Sequence, residues 1–129
     1  MSLRSGLPVA LALAAALAAC GNDTPVQQPV AVYGASPFEY PVGLWDEGVE
    51  GETVLLIRIT DVGAVDSAIV DRSSGYAEFD SAAVAGAHKL RFLPARRGDR
   101  RIQTWAKLPV RFTKDGGAAA GAAAAPGAS

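Results

Sequence analysis

From Glu52 to Thr60 the chain reads ETVLLIRIT, a run of aliphatic and β-branched residues bounded by Gly51 and Gly63. Such a run between glycines predicts a strand. Side chains alternate along a strand, so Leu55, Ile57 and Ile59 share one face and Val54, Leu56, Arg58 and Thr60 the other. Asp61-Val62-Gly63-Ala64 reads as a turn into a second strand, Val65 to Arg72, with Ala68 and Val70 on one side; Ser73-Ser74-Gly75 closes it. A third strand is expected from Ile102 to Thr113. There Ile102, Thr104, Ala106, Leu108, Val110 and Phe112 alternate with Gln103, Trp105, Lys107, Pro109, Arg111 and Thr113. Pro109 has no N–H for a ladder, which puts this strand at an edge or a bulge.

Between the second and third strands the period changes. Val84, Ala87 and Leu90 recur at helical spacing in SAAVAGAHKLRF, with Asp80 placed as an N-cap and Pro94 as a stop. That helix would bury one face together with Phe79 and Phe92. Gly86 costs up to roughly 1 kcal/mol against alanine in a helix, and a close approach to the sheet would account for it. The order is β-β-α-β. A hairpin makes the first two strands antiparallel, and a helix that carries the chain back sets the third antiparallel to the first. The expected fold class is α+β, a two-layer sandwich of a three-stranded antiparallel sheet, order 2-1-3, with one main helix on one face.

The ends read differently. Leu7 to Ala19 is an apolar run broken only by Pro8, behind a short positive start at Arg4. At about 1.5 Å per helical residue it is too short to cross a bilayer of roughly 30 Å comfortably, and its small final residues suit an export signal rather than a membrane helix. Residues 20–37, with Pro25, Pro29 and Pro37, read as a linker. Residues 115–129, rich in alanine and glycine, read as a disordered tail. That leaves residues 38–114 as one small domain.

Charge adds an asymmetry that the net of −1 hides. Gly21 to Asp80 holds eleven acids against Arg58 and Arg72; Ser81 to Asp115 holds nine bases against Asp99 and Asp115. Lys89, Arg91, Arg96, Arg97, Arg100 and Arg101 bracket the approach to the third strand. A solvated loop is the ordinary reading of such a run. The functional one is a docking patch for acidic partner segments or anionic lipid headgroups. Nucleic acid is not an expected partner of an exported chain.

Candidate chemistry is sparse. One cysteine, Cys20, and one histidine, His88, exclude a disulfide framework and any Cys- or His-cluster metal site. Asp61, Asp66 and Asp71 lack calcium-loop spacing. Ser73 and Ser74 have no base placed near them in sequence. No cofactor is expected, and an enzyme is the least supported class. Trp105 is expected either to pack with Val54 and Leu56 across strands or to mark a partner surface.

Leu17-Ala18-Ala19-Cys20 resembles the bacterial lipobox. The resemblance implies a lipoprotein signal peptide over residues 1–19 and a lipidated Cys20, an anchor rather than a catalyst. Gly21, where inner-membrane retention prefers Asp, favours the outer membrane. Further on, Tyr40-Pro41, Gly48-Val49-Glu50-Gly51, Gly63, Ser73-Ser74-Gly75, Phe79-Asp80-Ser81-Ala82-Ala83, Arg91-Phe92-Leu93-Pro94-Ala95 and Pro109-Val110-Arg111-Phe112 follow in the order and spacing of the TonB family C-terminal domain. That resemblance implies a periplasmic module that binds an extended peptide of an outer-membrane transporter, or of another envelope protein, by strand addition. The edge would be the third strand, at Ile102, Gln103, Thr104, Trp105, Ala106, Lys107 and Leu108. Family energy transducers carry an uncleaved membrane helix, and a lipid anchor transmits no motor movement. The binding fold is therefore carried over and the full transducing role is kept as an alternative. A self-associating envelope protein, with the third strand of two copies paired as a homodimer, is another.

Overall fold

The computed structural model describes residues 24–32 and 34–126. Cys20 and the apolar run before it lie outside the described residues, so the lipobox reading has no structural counterpart. Among the described residues no helix is long and apolar enough to cross a membrane.

The central element is β3 (Gly51–Ile59), preceded by three short pieces: β1 (Val26–Gln27), β2 (Val30–Ala31) and helix α1 (Val42–Asp46). The period-2 alternation read from the sequence is the observed one. Leu55, Ile57 and Ile59 are fully buried, and the residues between them are half-exposed. β3 pairs antiparallel with β4 (Val65–Arg72) on one side and with β8 (Thr104–Thr113) on the other. In β8, Ala106, Leu108, Val110 and Phe112 point into the core, matching the expected face. Helix α2 (Ala77–Ala87) covers that face. The molecule is thus α+β, with the helix on one side of an antiparallel sheet.

Several expectations need correction. The sheet has four strands, β4-β3-β8-β9, because β9 (Gly117–Ala120) adds beyond β8. The stretch expected to be a disordered tail therefore forms a strand. The segment expected to be a linker is also tied down: β1 pairs with β6 (Ala95–Arg97) and β2 with β5 (Phe92–Leu93), both antiparallel. Prolines exclude long ladders but allow two-residue edge strands between them, and Pro29 is itself buried. The third strand is not continuous from Ile102. Ile102 belongs to β7 (Arg100–Ile102), which turns back on β6, and β8 begins at Thr104.

The helix starts four residues earlier than expected, at Ala77, and ends at Ala87, so Phe92 sits on a strand rather than a helix. Its buried stripe is Phe79, Ala83, Gly86 and Ala87, the i, i+4, i+7, i+8 spacing of one helical face. Asp80 is not the N-cap. It lies inside the first turn and reaches back to the preceding loop, accepting hydrogen bonds from the hydroxyls of Thr53 (2.7 Å) and Ser74 (2.9 Å), the Ser74 N–H (3.0 Å) and the Ser73 hydroxyl. Gly86 is close-packed, but against the Phe38 ring rather than the sheet; a Cβ there would overlap the ring.

The core is completed by an aromatic cluster. Phe79 of α2 and Phe112 of β8 stack with centroids 4.4 Å apart, and Tyr40 meets them edge-on at 5.5 and 5.6 Å. The Tyr40 hydroxyl donates to the Val49 carbonyl, which fixes the chain entering β3.

Asp80 gives a pH-dependent contribution to stability. Burial raises its carboxyl pKa, but the hydrogen bonds from Ser73, Ser74 and Thr53 outweigh burial and hold it below the usual carboxylate value. A folded pKa below the unfolded one gives stability that is complete above the unfolded value, about 4. It is lost as pH falls through the folded pKa. Asp80→Asn is expected to lower the urea midpoint at pH 7, with the deficit narrowing as pH falls below about 4; a deficit that does not shrink on acidification below that value would contradict this.

Candidate functional site: the outer edge of the sheet and the basic hairpin

A sheet offers a partner strand only where backbone groups face outward. On β8 these belong to alternate residues. Lys107 exchanges two hydrogen bonds with Ala124, its N–H to the Ala124 carbonyl at 2.7 Å and its carbonyl to the Ala124 N–H at 2.9 Å. The Pro109 carbonyl accepts from the Gly121 N–H at 2.8 Å. Arg111 and Thr113 pair with Ala119 and Gly117. The outward positions are therefore 105, 107, 109, 111 and 113. Pro109 falls among them, so its missing donor faces away from β3 and the central ladder is uninterrupted. The cost lies on the other side. The tail keeps register with β8 as far as Gly121 opposite Pro109, then takes one extra residue to reach Lys107 at Ala124, a one-residue bulge beside the proline.

Of the residues expected to form the edge, only Thr104 to Leu108 lie on β8, and Lys107 is already bridged by the tail. Ile102 is paired with Ala95 in the small hairpin sheet, and Gln103 links the two strands. Thr104 to Ala106 carry no partner on the outer side among the described residues. The tail is held from its far side as well, where the Ser36 hydroxyl donates to the Ala118 carbonyl at 2.7 Å. Nothing in the sequence signalled this strand, since alanine and glycine are poor strand formers.

The face of the sheet opposite the helix is laced with charge. Arg58 makes two bonds to Asp66 (2.7 and 2.9 Å), Arg111 meets Glu52 at 2.8 Å, and Lys107 lies 3.5 Å from Asp71. The hydrogen bond and charge of Arg58 hold the Asp66 carboxyl below its usual pKa. These are exposed pairs, screened by solvent and weak as a class, and they account for two of the three aspartates considered as a carboxylate site. Trp105 is half-buried on this face. It lies opposite Arg58, whose guanidinium sits 5.7 Å from the ring centroid. Ser73 and Ser74 are committed to Asp80.

The basic residues are not on a loop. Arg96, Arg97, Arg100 and Arg101 form the β6–β7 hairpin, turned at Gly98-Asp99 with Gly98 at φ 62°. Arg91 joins Ala64 in a bridge, and Lys89 follows the end of α2. All six are exposed. Arg-Arg-Gly-Asp-Arg-Arg does contain a signal for this, since glycine and aspartate flanked symmetrically mark a two-residue hairpin turn.

The sequence of this region is similar to that of known proteins. The chain is 34% identical over 74 residues to the protein tonB2 of Pseudomonas aeruginosa, which covers 57% of this chain and 27% of that protein. It is 29% identical over 77 residues to the protein TonB of Xanthomonas campestris pv. campestris, covering 60% of this chain and 34% of that one. The chain thus spans about a third or less of the length of these relatives. The model of the family described as Gram-negative bacterial TonB protein C-terminal matches residues 36–113. With helix, central strands and aromatic core all inside that match, the chain belongs to the TonB C-terminal family.

Proposed function

We propose that the chain is a cell-envelope binding module, held by lipid on Cys20 and facing the periplasm, with the outer membrane favoured over the inner. It takes an extended segment of an outer-membrane transporter, or of another envelope protein, as an added strand on β8. It is a binding module rather than an enzyme. One observation supports the mode of binding above others: the outer side of β8 already takes a strand, the chain's own β9. That strand contributes only methyl groups to the core side, through Ala118 and Ala120 packed near Phe112 and Val110. Buried apolar area stabilises at about 25 cal/mol per Å², so a segment with larger side chains at those two positions gains more than the tail gives up. The partner therefore replaces β9 and extends over Thr104 to Ala106.

Backbone amide shifts on titrating the full chain with synthetic extended peptides test this. Saturating changes are expected at Trp105, Lys107 and Arg111, with loss of the Lys107–Ala124 and Arg111–Ala119 pairing. Changes confined to β4, or none with any peptide, would refute strand addition at β8. Mass spectrometry of the envelope protein decides the anchor: an unmodified Cys20 in an uncleaved chain would return the energy-transducing alternative.

A further inference from the structure

The β6–β7 hairpin places like charges face to face. Arg96 pairs directly with Arg101, and Arg97 with Arg100. Such pairs destabilise a hairpin, and none of the four makes an ion pair with a described residue. Arg96 and Arg101 also line a shallow groove of about 410 Å³ whose other walls include Val30 and Leu93. Those two residues are cross-strand partners in the β2–β5 pair and remain 55% and 61% exposed. Guanidinium groups beside an exposed aliphatic pair suit a surface that is anionic outside and apolar beneath.

The course of the chain says what that surface is. β1 is hydrogen-bonded to the hairpin, Val26 opposite Arg97. The apolar run ends at Ala19, and the residues from there to Val26 span at most about 25 Å at 3.3–3.6 Å each. Whether that run is retained or is replaced by a lipid on Cys20, its point of contact with a bilayer lies within this reach of the four arginines. An acidic protein segment satisfies the charges but gives no reason for the position beside the amino-terminal tether.

The geometry points to the arginine hairpin as a membrane-surface site, binding the anionic headgroups of the bilayer in which the chain is anchored and laying the domain against it. The β8 edge takes no part, so this stands or falls separately from strand addition.

Co-sedimentation of the full chain with vesicles of phosphatidylglycerol or of phosphatidylcholine tests it. Either anchor, apolar run or lipid, lacks charge selectivity of its own, so the difference between the two kinds reads the hairpin. A preference for phosphatidylglycerol is expected at low salt, fading toward about 0.5 M salt as the Debye length shrinks. Arg96→Gln with Arg101→Gln is expected to reduce that preference by roughly thirtyfold, from the contribution of each of the two bases at a charged surface. Arg72→Gln, on β4, is expected to leave it unchanged. Because the substitutions relieve the Arg96–Arg101 like-charge pair, the double variant should melt no lower than the unchanged protein. Equal binding to both vesicles, a preference retained in the double variant, or an equal loss in Arg72→Gln would overturn the assignment. Binding of soluble polyglutamate through Arg96 and Arg101 without any vesicle preference would overturn it in favour of an acidic protein partner.

Discussion

Gly63→Ala is expected to destabilise the protein by more than about 2 kcal/mol, because two costs coincide at one Cβ. Gly63 sits at φ 86°, a left-handed conformation that costs an L-residue roughly 1–2 kcal/mol. Its missing side chain is also the space taken by the Phe92 carbonyl, which a Cβ would overlap. The neighbour cannot retreat, since the Phe92 N–H donates to the Gly63 carbonyl at 2.9 Å and Phe92 itself is buried. Gly48 supplies the comparison. It has φ 72° with nothing within 4 Å of an added Cβ, so Gly48→Ala carries the backbone cost alone. Urea unfolding of the two variants should show Gly63→Ala clearly weaker; similar midpoints would mean that contact with Phe92 is unimportant.

Phe79→Ala is expected to cost about 3–5 kcal/mol, the range for removing a buried phenyl ring. Phe79 is fully buried, stacked on Phe112 and touched edge-on by Tyr40 and Tyr76. It also lies 3.2 Å from where a Cβ on Gly51 would stand, so helix and central strand meet at this ring with little slack. Phe112→Ala removes the same stack from the other side. In a double-mutant cycle the two losses are expected to sum to more than the double variant shows, because the second substitution removes contacts already gone. Strict additivity would mean that the stack has no energy of its own.

The sheet's centre was legible because its signal is periodic. Leu55-Ile57-Ile59 and Ala106-Leu108-Val110-Phe112 alternate cleanly, and one face of each strand is buried. A one-residue slip would turn every one of these side chains to water. The helix start was less legible because Asp80 carries two meanings. Before an apolar stretch it looks like a cap, yet Ser73, Ser74 and Thr53 recruit it into a loop clasp instead. Phe79, expected to pack beside the helix face, belongs to the helix itself, four residues before Ala83, so the buried stripe begins earlier. β1, β2 and β9 gave no period to read. They are short, flanked by proline or built of alanine and glycine, and become strands because an edge is open beside them. The candidate site suffered most from this, since the proposed edge is the one the tail overlays. The family resemblance conveyed the frame, and local pattern could not show what leans on it.

Register also dictates when the molecule can assemble. Gly51 meets Phe112, Ile59 meets Thr104, and Val26 meets Arg97. A nascent chain ending near Leu90 holds β3, β4 and α2, yet lacks the strand that fills the other side of its central ladder. Closure of such distant pairs is penalised by loop entropy and belongs to the slower class of small-domain folding. A stable core is therefore not possible until β8 has been made. Until then Leu55, Ile57 and Ile59 stand on a ladder with one side unfilled, so the half-built sheet is the stage most exposed to mispairing.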